Sequence, residues 1–281
     1  MGADDRPGRT RVQGRLYDDV LLERYRYPRG PGVTLPSHAH DEYHVCLNVG
    51  TPGQYRYRGA WHLVPPGSLT VIMPDEVHLA KDPADRESES AYAVLYLGSA
   101  RMRQVAAELG GPRAGLPFFG DPLIADADLT ARFTRVHRLL QEDTALARDV
   151  RLLSVLTLLL KRHGRVRTAE LPDRRPRGPV PPVEAVRAYL HDNYAADVSL
   201  DELARLAGLS PFHLARLFRR QVGMPPHAYQ VQLRVSRAKR LLLRGLPVSR
   251  VAQETGFFDL SHLTRHFKRY VGVSPGSYPQ R

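Results

Sequence analysis

Cysteine and tryptophan are almost missing from this chain, with Cys46 and Trp61 as their single representatives. One cysteine excludes an intrachain disulfide framework, so a buried apolar core must hold the fold. Long hydrophobic runs are missing too. The most apolar stretch, Leu152 to Leu160, is bracketed by Arg151 and Lys161, far short of the ~20 residues a membrane span requires. The opening Met1-Gly2-Ala3-Asp4-Asp5-Arg6 lacks the apolar segment of a secretory signal. A cytoplasmic protein without a membrane partner is expected. Lysine is scarce as well, supplying four of the 41 basic side chains.

What is present is enough apolar material for a core, 42% hydrophobic over 281 residues, and a length that allows one large domain or two ordinary ones. The net charge of +12 is unevenly placed. Residues 1–163 carry 21 basic and 20 acidic side chains, residues 164–182 carry 5 and 2, and residues 183–281 carry 15 and 7. A nearly neutral amino half joined to a basic carboxyl half points to a polyanion as the partner of the latter.

The two halves also differ in pattern. Residues 1–15 are polar without a period and are expected to form a flexible tail. From Asp18 to Leu97 short strand-like runs alternate with turns such as Pro28-Arg29-Gly30-Pro31-Gly32 and Pro65-Pro66-Gly67, which predicts an antiparallel sandwich or barrel. Helical periodicity then appears in Arg101–Leu109, Leu129–Glu142 and Arg148–His163. The last two predict a helical hairpin, and the stripe Leu152, Val155, Leu156 and Leu159 is a candidate homodimer contact. The Arg- and Pro-rich stretch 165–182 reads as a linker, giving an effector and dimerisation domain over 16–164 and a helical domain over 183–281.

The helical domain repeats itself. Ala204-Arg205-Leu206-Ala207-Gly208 returns as Ala252-Gln253-Glu254-Thr255-Gly256, and His213-Leu214-Ala215-Arg216-Leu217-Phe218 returns as His262-Leu263-Thr264-Arg265-His266-Phe267. Each copy describes a helix stopped by glycine, then an N-cap (Ser210, Asp259) and a second helix. The outward positions are Phe212, Ala215, Arg216 and Arg219 in the first copy, and Ser261, Thr264, Arg265 and Lys268 in the second. Arg, Thr and Ser along an exposed helix face suit base edges in a DNA major groove. The intervening Pro226–Arg244 predicts a rigid helix able to hold two such readers ~34 Å apart, one turn of duplex.

Gly256-Phe257-Phe258-Asp259-Leu260-Ser261-His262-Leu263-Thr264-Arg265-His266-Phe267-Lys268-Arg269, continued by Gly272, Pro275 and Tyr278, resembles the signature of AraC/XylS-type bacterial transcription regulators. The ending departs from that pattern, with Pro279 after Tyr278. The resemblance implies two helix-turn-helix units in adjacent major grooves of promoter DNA, RNA polymerase as a partner, and base contacts from Phe212, Ala215, Arg216, Ser261, His262, Thr264 and Arg265. The expected fold class is α+β in two domains, an antiparallel cupin-like β-barrel with a helical hairpin followed by an all-α double helix-turn-helix.

The cupin expectation rests on histidines. His38, His40 and His44 alternate along one run, Gly32 and Gly50 flank it, and Pro74 precedes His78. This is similar to the two metal-binding motifs of cupin barrels, with His44 at the usual glutamate position. Four imidazoles suit a divalent transition metal; the other reading is that His38, His40, His44 and His78 line the pocket of an organic effector. Glu42 is a spare ligand, and Tyr55, Tyr57 and His62 are further candidates for the cavity wall. The alternative to a regulator is a cupin metalloenzyme, a dioxygenase or isomerase, with Glu42 or Glu76 as its acid–base group.

Overall fold

The structure, a computed structural model, describes residues 9–139, 145–166 and 181–279. Its amino half holds β1 (Arg11–Tyr17), β2 (Val20–Tyr27), β3 (Glu42–Asn48), β4 (Gly53–Tyr57), β5 (Ala60–Val64), β6 (Leu69–Ile72), β7 (His78–Lys81), β8 (Ser90–Gly98) and the two-residue β9 (Leu123–Ile124). Every ladder is antiparallel. Strands run β1-β2-β8-β3-β6-β9 in one sheet and β5-β4-β7 in the other. The tight β4–β5 hairpin turns on Arg58 and Gly59, whose φ angles of 50° and 81° match the primed turn that suits the twist of paired strands.

The expected closed barrel is corrected to two facing sheets. Segment 30–38 meets β7 and its flank through isolated bridges, Thr34 with Lys81 and His38 with His78, so no continuous ladder closes the ring among the described residues. The expected tail is corrected as well. Arg11–Tyr17 pairs along its whole length with β2, its charged residues facing outward while Val12 is buried against the carboxyl half. Residues 1–8 lie outside the described part.

The central sheet alternates strictly. On β3, Tyr43, Val45 and Leu47 enter a core shared with β6, β8 and three helices, α1 (Ser99–Gly110), α2 (Ala127–Leu139) and α3 (Ala145–His163). The period of two then places His44 and Cys46 on the opposite face, toward β4 and β7. The α3 stripe proposed from sequence as a dimer contact is corrected on this point. Val155, Leu156 and Leu159 are buried in that core, Leu156 at 1% exposure, because α1 and α2 cover them, and Leu152 packs against its edge. The link between α2 and α3 falls in 140–144, and most of the expected interdomain linker in 167–180; both lie outside the described residues.

The carboxyl half is helical throughout, with α4 (Pro182–Asp192), α5 (Leu200–Ala207), α6 (Pro211–Val222), α7 (Pro226–Leu243), α8 (Val248–Glu254), α9 (Leu260–Val271) and a short 3-10 turn at Pro275–Ser277. The first part of α7 packs with α4, α5 and α6, and its second part packs with α8 and α9. Among the described residues no helix is long and apolar enough to cross a membrane.

Candidate DNA interface and effector cavity

The two repeats fold as their local signals dictate. Gly208 and Gly256 take φ of 63° and 74°, the left-handed region where glycine stops a helix without a Cβ penalty. At Gly256 an added Cβ would also lie 2.1 Å from the Ala195 carbonyl oxygen. Ser210 then caps α6, its Oγ accepting from His213 N–H at 3.3 Å, and an Asp259 carboxylate oxygen caps α9, accepting from His262 N–H at 2.6 Å. Leu214 and Phe218 point into one core, Leu263 and Phe267 into the other.

This leaves one face of each helix to solvent. Phe212, 76% exposed, stands beside Arg216, whose guanidinium lies 5.8 Å from its ring centroid. Arg219, Ser261, Arg265 and Lys268 are exposed, and Ala215 and Thr264 half-exposed. His262 is half-buried, its ring 5.3 Å from Phe257 and 4.7 Å from His266, with Nδ1 accepting from Phe258 N–H. Of the expected base readers it is the one tied into the domain's own packing.

Behind the central sheet, two adjoining cavities of about 90 and 60 Å³ share Tyr25, His38, Tyr96, Tyr270 and Val271 on their walls. Tyr270 and Val271 belong to α9, and Gln232, Val235, Ser236 and Lys239 of α7 also line the smaller cavity, so the helical domain closes a space whose remaining walls come from the sheets and the loop before β3. Tyr27, Tyr55 and Tyr92 complete an aromatic lining, and burial raises the phenol pKa of each well above its ordinary value. Except for Tyr55, the sequence reading missed these tyrosines. Their signal was available: Glu23, Tyr25 and Tyr27 alternate on β2 with Arg24 and Arg26.

The histidines meet at the junction of the two cavities. His38 and His40 lie in the loop before β3 rather than within the expected continuous strand, and His78 opens β7. Ligand atoms of His40, His44 and His78 fall within 4.8 Å of one another. His38 stands beside them, its ring 4.1 Å from that of His78. Burial keeps all four imidazoles neutral near pH 7, with His40 lowered to about 3, His38 to about 4, and the other two well below the ordinary value. His40 Nε2 and His44 Nδ1 are buried without a hydrogen-bond partner. These neutral rings with unsatisfied nitrogens fit the donor set a transition metal requires.

The carboxylates expected near them are spoken for. Glu42 turns to Arg240 at 2.6 Å, and burial together with neighbouring Asp41 raises it to about 7. Glu76 is held by Arg58 at 2.9 Å and by the Tyr57 hydroxyl, which also takes Tyr57 away from the cavity. His62 lies on β5, off the cavity wall, while Tyr55 lines it.

Residues 21–160 match the AraC-like ligand binding domain, and residues 203–281 match a helix-turn-helix domain. The uncharacterized HTH-type transcriptional regulator YbfI of Bacillus subtilis is 29% identical over 251 residues, covering 89% of this chain and 88% of the relative. The HTH-type transcriptional activator AarP of Providencia stuartii is 32% identical over 97 residues, 34% of this chain and 72% of the relative. An apo form of ToxT from Vibrio cholerae shares the fold with a TM-score of 0.66 at 11% identity, covering 94% of this chain and 98% of that one.

Proposed function

The chain belongs to the AraC family of transcription regulators, with an amino-terminal ligand-binding domain and a carboxyl-terminal helix-turn-helix domain, and from this premise we propose how it reads DNA and what moves it. The exposed faces of α6 and α9 enter successive major grooves of a promoter duplex. Arg216 and Arg265 read base edges, Phe212, Ala215, Ser261 and Thr264 shape the contact, and Arg219 and Lys268 pair with phosphates. The observation that carries this reading is the pair of N-capped, glycine-limited helices tied to opposite ends of one buried connector, α7.

The effector occupies the tyrosine- and histidine-lined cavities. Because α9 supplies part of the wall, a ligand there acts on the geometry of the DNA-reading domain, as far as it prefers one arrangement over another. A second copy of the chain docks on the outer face of α3, where Leu146, Val150 and Leu153 recur at helical spacing and are 74%, 58% and 42% exposed. RNA polymerase is the further partner expected of a regulator at a promoter. A metalloenzyme reading is less well supported, because Glu42, although it lines the smaller cavity, is paired with Arg240, Glu76 is paired with Arg58, and Asp82 of the larger cavity is paired with Arg86.

The test is selection of duplexes from a randomised pool by the full chain. A recovered consensus with two half-sites about one helical turn apart supports the proposal, and recovery of unrelated sequences overturns it.

A further inference from the structure

The loop carrying His38 and His40 is gripped from outside by α7. Gln232 Oε1 accepts from Ala39 N–H at 2.5 Å, and its Nε2 donates to Ser37 O at 3.1 Å. Arg237 reaches Asp41 at 3.2 Å, and Arg240 reaches Glu42. One segment of six residues thus faces the connector of the DNA-reading domain on one side and the histidine cluster on the other.

The cluster has the marks of a coordination site. Its nitrogens lie within 4.8 Å, and an ion with metal–nitrogen bonds of about 2.0–2.1 Å holds tetrahedral ligands roughly 3.3 Å apart, so a small closure of side chains suffices. His40 Nδ1 lies 2.9 Å from Glu42 O and His78 Nδ1 lies 3.3 Å from Glu76 O. A carbonyl can only accept, so in each ring the proton sits on Nδ1 and the Nε2 lone pair is left toward the cluster. Metal-ligating histidines are oriented by this same arrangement. His40 Nε2 and His44 Nδ1 are buried unsatisfied, a desolvation cost that coordination removes.

We infer that His40, His44 and His78 bind a transition-metal ion of the zinc type, and that residues 37–42 report its occupancy to α7. Three imidazoles suit Zn²⁺, Ni²⁺, Cu²⁺ or Fe²⁺ and disfavour Ca²⁺ and Mg²⁺, which take oxygen ligands. Three protein ligands also leave a position for an exchangeable fourth, and His44 and His78 line the larger cavity. The report to α7 rests on the regulator reading; the metal site does not.

Untagged full-length protein, stripped with chelator and dialysed, is titrated with Zn²⁺ by calorimetry. One ion per chain is expected, weakened at least about 100-fold in His44→Gln and His78→Gln with circular dichroism unchanged. Should those variants misfold, imidazole ¹⁵N resonances of the wild type decide: His40, His44 and His78 shift on Zn²⁺ addition while His262 and His266 hold still. Failure to take up Zn²⁺, Ni²⁺, Co²⁺ or Cu²⁺, wild-type affinity in folded variants, or shifts confined to other histidines overturns the site. Amide exchange in 226–243 is expected to slow on metal binding, and an unchanged pattern overturns the report to α7. Protein that selects a DNA sequence but takes up no metal overturns this inference alone. Metal uptake without sequence selection overturns the regulator reading and leaves the site standing.

Discussion

Lys239 Nζ lies 2.7 Å from Glu23 Oε2, with the carboxylate wholly buried. The pair joins β2 of the amino half to α7 of the carboxyl half, and Glu23 also accepts from Tyr25 Oη at 2.6 Å and from the Tyr278 hydroxyl. Removing one partner from such a pair strands a charge, whereas replacing both with apolar or neutral groups often costs little. Lys239→Met is therefore expected to destabilise the protein by about 3–5 kcal/mol, and Glu23→Gln combined with Lys239→Met by less than about 2 kcal/mol. Urea unfolding of the three proteins checks this. Equal losses in the single and double variants would show that the pair does not act as a unit.

The DNA-reading face gives the second prediction. Arg265 is exposed on α9 six residues after the cap, while Arg244 is the C-cap of α7 and belongs to neither recognition helix. Arg265→Ala is expected to cost about 1–3 kcal/mol on the preferred duplex and to relax selectivity at one position. Arg244→Ala should leave selectivity unchanged. Fluorescence anisotropy on the preferred and a scrambled duplex measures both. Binding of both duplexes should weaken steeply with salt as counterions are released.

The repeated helix-turn-helix units were legible because their signals are local. Gly208, Ser210, Gly256 and Asp259 each act within a few residues, and the structure places each in its expected role. Other features depend on contacts distant in sequence. Gln232, Arg237, Lys239 and Arg240 are polar positions of α7 that carry no local signal, yet each bonds to a residue of the amino half about two hundred positions earlier. Strand β1 stayed hidden because Val12 and Leu16 are its few apolar residues. The histidine spacing brought the right residue types forward, and alternation put Glu42 on the face of His44, but its pairing with Arg240 of α7 could not be read from local sequence. The chain is still in a loop through His40, and strand geometry begins at Glu42.

The α3 faces supply a third prediction. Leu156 lies in the intrachain core while Val150 and Leu153 face outward. Leu156→Lys is expected to unfold the amino half, since a buried charge without a partner costs several kcal/mol. Val150→Lys with Leu153→Lys should instead give a folded monomer by analytical ultracentrifugation. A dimer that survives the double substitution moves the subunit contact elsewhere.

The last prediction concerns pH and His137 on α2. Its ring packs 5.1 Å from Phe133, Nε2 is buried without a partner, and burial, aided by the positive charge of Arg24, holds its pKa down to about 3. In the unfolded chain the same imidazole titrates near 6.5. Between these values the unfolded state binds the extra proton, so the contribution is fully present above about pH 6.5 and is lost progressively as pH falls toward 3. The loss is expected to be on the order of 1–3 kcal/mol by pH 4.5. His137→Phe removes the titrating group while keeping an aromatic ring beside Phe133. Other buried histidines contribute equally to both proteins, so the comparison isolates this one. The variant's urea midpoint should gain on the wild type between pH 7 and pH 4.5, and a constant gap between the two proteins would show that His137 is already protonated in the fold or does not lose its environment on unfolding.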